Sequence, residues 1–444
     1  MAASGADNWR NELDRPSAAF FRAFAVLARE PDGAAAAVRE AVQRLTPVVD
    51  WAAYLPHVPH GLLGLGAAFR LRPLLREASF LRLLATQLHA FAHESRSPEA
   101  KALGAIGRGS GNWDNLRMAL GHHRPAIAWG EAAAVPEATG EHFRFLERAA
   151  EADMANVGHK PVLARGLGRL GRDLGPAPEP GRVLLALAAW QCASEPYDTF
   201  WHDRAARRLG EAAPVPQRAP ALGAEAHRAQ VREICDTGLV DLLDRFAARV
   251  RAGHGSGDLL AALALAAAER QLDARRDLEA KTTWNFVYLA ALAQQAAEAG
   301  ASAPTRWVQA AALVNLFPGG EEEDRPRPAL PRQPVPDLEA GLVDAILDGE
   351  PLPAMGLAQA LLARDGAEPV LRALAEAASG NDPAFNHSHQ VLATAAAADL
   401  LPHLPGPAAE AVLVALAKAL ANAQGSSDLG RLADAALRQV GAGI

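Results

Sequence analysis

The chain is short of cysteine, aromatic rings, lysine and long apolar runs. Its two cysteines, Cys192 and Cys235, cannot build a disulfide framework or a cysteine zinc site. Aromatic residues make up 5% of the chain although 50% is hydrophobic. Much of the apolar content is therefore alanine, which favours helix and buries little surface per residue. The most apolar stretch, Val183 to Trp190 and its neighbours, falls far short of the roughly 20 residues a membrane span needs. The opening segment MAASGADNWRNELDRPS has no basic run followed by an apolar one, so a cytoplasmic protein without membrane attachment is expected. Lys+Arg number 44 against Asp+Glu 51, a net charge of −7. That balance argues against a general nucleic-acid binder, which needs a basic face to displace counterions. No run of four or more residues shows strand alternation rich in Val, Ile and Thr.

What is there is helical periodicity. In Glu77–Glu94 (EASFLRLLATQLHAFAHE) the residues Phe80, Leu81, Leu83, Leu84, Leu88 and Phe91 fall mostly on one side at helical spacing. Proline and glycine mark the breaks. Gly175–Gly181 and Glu211–Gly223 read as connections, and 317–336, with its acid run and six prolines, reads as a linker-like loop. Three segments start with histidine and read alike: HGLLGLGAAFRL from His60, HKPVLARGLGRL from His159 and HQVLATAAAADL from His389. Each is followed by a short break and a second apolar helix. Lys281–Leu316 has the same helix–break–helix form without the histidine. The expected fold is all-α: stacked helical hairpins in a bundle or short solenoid. A duplicated architecture is expected, with halves at 1–220 and 221–444 acting as one body.

The placement of the histidines carries the functional reading. If the hairpins pack with parallel ends, His60, His159 and His389 converge on one end, and facing helices of a bundle are a common place for buried sites. Imidazole titrates near neutrality, and Lys160 beside His159 could hold an anionic substrate oxygen; these four are the catalytic candidates. A histidine-bound metal is the other use. His89 and His93 are four apart on one helix, His57 precedes His60 in HVPH, and His202 lies in FWHDR. No Glu stands in an HExxH pattern beside them. Trp113, Trp201, Trp284 and Tyr288 lie near histidine-bearing segments and suggest a pocket for a planar, hydrophobic small molecule. GAIGRGSG lacks the Lys-Ser/Thr of a P-loop, and no GxSxG elbow exists. Cys192, in LAAWQCA, reads as core rather than nucleophile.

The HVPHGLLGLGAAFRL hairpin, the GHK hairpin and NHSHQVLATAAAADLLPHLP together resemble the questin oxidase-like family. The resemblance places His60, His159 and His389 at family-like positions. It implies an all-helical oxidoreductase performing Baeyer–Villiger-type oxygenation of a polycyclic aromatic substrate, with NADPH as electron donor. The chain departs from the pattern where Lys281-Thr282-Thr283-Trp284-Asn285 replaces the histidine start, and no nicotinamide-binding motif is visible. The alternative reading is a non-catalytic helical-repeat scaffold that binds a protein or small molecule on a concave face. Oligomeric state is not legible.

Overall fold

The computed structural model describes residues 5–48, 60–94, 106–107, 109–194, 199–274, 279–316, 328–329, 335–380, 388–424 and 428–441. Among them the chain is all-α, and the only strands are two-residue β1 (Val215–Pro216) and β2 (Ala301–Ser302), paired antiparallel. No described helix is long and apolar enough to cross a membrane. The linker-like loop 317–336 falls mostly outside the described residues.

Packing divides the chain into two compact units. The first comprises Met1–Asp198, Asp382–Ser388 and Ser427–Ile444; the second comprises Thr199–Asn381 and His389–Ser426. The expected halves follow sequence order, whereas these units take pieces from both ends of the chain, because short late segments pack against early helices.

The first unit holds α1 (Gly5–Asp14), α2 (Phe20–Ala28), α3 (Gly33–Leu45), α4 (His60–Leu71), α5 (Glu77–Glu94), α6 (Trp113–Gly121), α7 (Pro125–Ala133), α8 (Gly140–Ala149), α9 (Ala155–Asp173) and α10 (Pro178–Ala193). A late helix, Leu429–Val440, packs on α2 and α5. The helix starts are written locally. The Asn112 side chain accepts the N–H groups of Asp114 and Asn115 ahead of α6, and prolines open α7 and α10 where no backbone donor is needed. Trp9 packs on Phe20 and Phe24, with ring centroids 5.1 and 6.0 Å away. Elsewhere alanine and leucine fill the core, as the scarcity of aromatics requires.

Glu131 on α7 fastens the loop before α6. Its Oε2 accepts Ser110 N at 3.1 Å, Ser110 Oγ at 2.9 Å and Asn112 N at 3.0 Å. Burial pushes its carboxyl up, but the hydrogen bonds from Asn112, Ser110 and Asn115 outweigh that and hold it below its ordinary value. A carboxyl depressed by folding contributes stability above the unfolded value and loses it as pH falls through the folded one. Urea unfolding should therefore show Glu131→Gln less stable than wild type at pH 7, with the gap narrowing as pH falls below about 4.

The second unit holds α11 (Phe200–Leu209), α12 (Ala224–Asp236), α13 (Leu239–Arg251), α14 (Ser256–Asp273), α15 (Glu279–Ala299), α16 (Pro304–Leu316), α17 (Leu338–Leu347), α18 (Pro351–Asp365), α19 (Ala367–Ser379), α20 (His389–Leu400) and α21 (Gly406–Asn422). Its centre is α15 packed on α20 and α14 on α21. The buried Lys418 ammonium donates to the carbonyls of Gln271 and Ala274 at 3.0 and 2.9 Å. It thereby satisfies acceptors left free at the end of α14 and suits the negative end of the helix dipole.

The four expected hairpins are all present as packed helix pairs: α4 with α5, α9 with α10, α15 with α16, and α20 with α21. The first and last share a construction. Each begins with a 12-residue helix opened by histidine. Each then makes a proline-bearing 3-10 turn, Arg72–Leu74 or Leu401–His403, before the second helix.

Candidate functional site

His60 is the first residue of α4, and α4 packs on α9, which carries His159. The start of α9 is not a regular helix. Val157 has φ +56° and Gly158 φ +75°. A β-branched residue in that left-handed region is strained by about 1–3 kcal/mol. The regular turns therefore begin at His159, and Pro161 sits in the first of them, where its missing N–H has little to lose. His389 opens α20 directly after Ser388, a second non-glycine residue with positive φ (+61°). Strain of this kind persists where surrounding structure enforces it, and it clusters at ligand and active sites.

Two of these histidines, both in the first unit, come together. His60 and His159 are 6% and 3% exposed, and their Nε2 atoms are 3.4 Å apart with ring planes at 72°. That distance is long for an N–H···N bond. It matches two nitrogens bound at about 2.0–2.1 Å to one tetrahedral ion, which stand about 3.3–3.4 Å apart. The part-buried His389 ring leans on Trp284 of α15, with centroids 5.8 Å apart and planes 36° from parallel.

Lys160 follows His159 and is turned away from solvent. Its Nζ lies 2.5 Å from Asp153 Oδ2 and donates to the Ser194 carbonyl at 3.2 Å. Both ends of that pair are about 95% buried. The ammonium therefore has its counter-charge within the fold, and it braces the strained start of α9 against Asp153 on one side and the end of α10 on the other. Next to this pair, burial pushes the Cys192 thiol up to about 12, against the opposing pull of Lys160, so it carries no thiolate at neutral pH. On α8, Glu147 takes the Arg165 guanidinium in a paired set of bonds at 2.9 to 3.1 Å and fixes α8 to α9.

The other sequence candidates lie in several places. His89 and His93 are ring neighbours at 4.4 Å, but His89 packs against Phe20 and Phe21 at 5.2 Å each and His93 is exposed. His202 is part-exposed beside Asp203 on α11. His57 lies outside the described residues, as does the Lys281 side chain. Trp113 packs on His142 and Phe145, and Trp201 on its neighbour Phe200. Tyr288 is fully buried under the Arg306 guanidinium, 5.5 Å from its ring centre. Of the four proposed substrate contacts, Trp284 is the one in ring contact with a catalytic candidate, His389. Sequence reasoning did not reach Asp153, the strained Val157 and Ser388, or Gln87, whose side chain accepts a hydrogen bond from Ser388. The one visible sign of Gln87 is a carboxamide set inside the apolar run of α5.

No protein-family profile, curated protein or solved structure matches this chain.

Proposed function

We propose that His60 and His159 are ligands of a first-row transition metal in an oxidoreductase-like enzyme acting on a hydrophobic, planar substrate. The observation that carries this reading is the 3.4 Å separation of their two buried Nε2 atoms. The metal candidates expected from sequence were His57, His89, His93 and His202. The reading moves the ligand role to two residues first taken as acid–base catalysts, because their ring nitrogens converge. Imidazole suits zinc, copper, iron and nickel, and two such ligands leave coordination positions open. A bound ion of this kind would supply Lewis-acid or redox chemistry toward an oxygen ligand at those positions.

The protein's own residues have separate tasks. The Nε2 atoms of His60 and His159 would hold the ion. Trp284, itself fully buried, packs against the His389 ring. Lys160 and Asp153 keep the first turn of α9, and so His159, in place. The resemblance to the questin oxidase-like family supports the oxidoreductase class and a polycyclic aromatic substrate. An electron donor such as NADPH rests on that resemblance alone.

Cobalt titration of the untagged, metal-stripped protein tests the assignment. Uptake of one equivalent with visible d–d bands is expected. Absence of bands, or a stoichiometry below about a tenth, would remove the metal reading.

A further inference from the structure

We propose that the second unit binds a small carboxylate with an apolar body, in a cleft where Arg218 takes the carboxylate. The inference is independent of the metal reading, since it uses no residue of the first unit. The cleft has a volume of about 460 Å³ and is half open to solvent. Small-molecule sites span about 300–1,000 Å³ and are mostly apolar, with a few placed polar groups. This cleft follows that pattern. Leu260 of α14 and Ala293 and Ala296 of α15 are its buried apolar residues, and the turn between α20 and α21 adds Leu404. Arg218 and His403 are its ionisable residues, and no Asp or Glu lines it. It also takes in the first turn of α14, at Ser256 and Gly257, where the helix dipole favours negative charge.

Arg218 stands in a stretch, Glu211–Gly223, that reads from sequence as a connection. Connections commonly run loosely over a surface, but this one is tied down along its length. Gln217 N donates to the Gly300 carbonyl at 3.0 Å, next to the β1–β2 pair. Arg218 N donates to Ser256 Oγ at 3.2 Å, and the Arg218 carbonyl accepts Gly257 N at 3.0 Å. Asp258 Oδ1 accepts the N–H groups of Ala221 and Leu222 at 2.8 Å each. Glycine at 255 and 257 permits so close an approach. A Cβ at Gly257 would overlap the Arg218 carbonyl, and one at Gly255 would stand 2.8 Å from Arg218 Cβ and 3.2 Å from its Cδ. The aliphatic stem of Arg218 thus lies against the start of α14, while the residue as a whole stays exposed. It makes no ion pair among the described residues. A guanidinium fork matches the two oxygens of a carboxylate, and one whose stem is already placed loses little freedom on binding. His403 adds a ring N–H donor to the same cleft.

Calorimetric titration of the full chain with 2-naphthoate and with octanoate tests this. At least one of the two acids should bind at one equivalent, and its neutral amide at least about tenfold more weakly. Arg218→Met keeps the stem and removes the fork. It should weaken the acid at least about tenfold and leave the amide within twofold. Leu404→Glu, which puts a negative charge in the cleft from a half-buried position, should weaken the acid by a similar factor. Absence of saturable binding by either acid would overturn the proposal. So would equal affinity for acid and amide, or an acid affinity within twofold of wild type in Arg218→Met.

Discussion

His159→Ala should reduce bound metal from one equivalent to less than a tenth, with affinity lowered more than 100-fold. Loss of groups that only orient metal ligands already costs 10- to 100-fold, and removing a ligand itself must cost more. The fold should survive, because the imidazole occupies the start of a helix whose later turns are packed by Leu163, Leu167 and Leu170, all fully buried. Metal content by elemental analysis and helix content by circular dichroism check the two halves of the expectation. His60→Ala should behave alike, since its Nε2 is the partner at 3.4 Å. Full metal retention in both variants, with folding intact, would show that the imidazoles serve only packing.

Asp153→Asn carries the largest expected effect on stability. Its carboxylate faces the Lys160 ammonium at 2.5 Å with both groups nearly dry. Neutralising one partner of such a pair leaves a buried charge uncompensated and costs about 3–5 kcal/mol. Replacing both by apolar residues of similar volume removes the desolvation burden together with the attraction, and is often neutral or stabilising. Asp153→Asn alone should shift the urea midpoint strongly downward, and Asp153→Leu with Lys160→Met should recover most of the loss. The double variant also separates two roles for Lys160. Metal binding and turnover both close to wild type in it assign Lys160 to bracing α9. Metal binding kept while turnover disappears assigns the ammonium to the substrate.

The helical architecture was legible because alanine, leucine and punctuating prolines act locally. α4 and α20 start at His60 and His389, as the repeated pattern indicated. α9 begins earlier, at Ala155, and contains a break at Val157 and Gly158. Nothing in the residue types there demands a left-handed valine. The ligand assignment shows what spacing can and cannot reveal. The His89–His93 pair is visible because it is four residues apart on one helix, yet its rings face Phe20 and Phe21 and the open surface. The His60–His159 pair spans 99 residues, so only the shared hairpin pattern hinted at it. Trp113 and Trp201 were near histidines along the chain but pack on Phe145 and Phe200. Gln87 Nε2, buried without a hydrogen-bond partner, could not be read at all, since an unmatched amide donor exists only once the fold has enclosed it.

The most direct test of the central claim is anomalous scattering from crystals of the untagged protein grown with cobalt, recorded on either side of the cobalt edge. The account predicts one strong peak about 2.0–2.2 Å from Nε2 of His60 and Nε2 of His159. A peak confined to His89 and His93, or no peak beside His60 and His159 at full cobalt occupancy of the crystal solution, would contradict it.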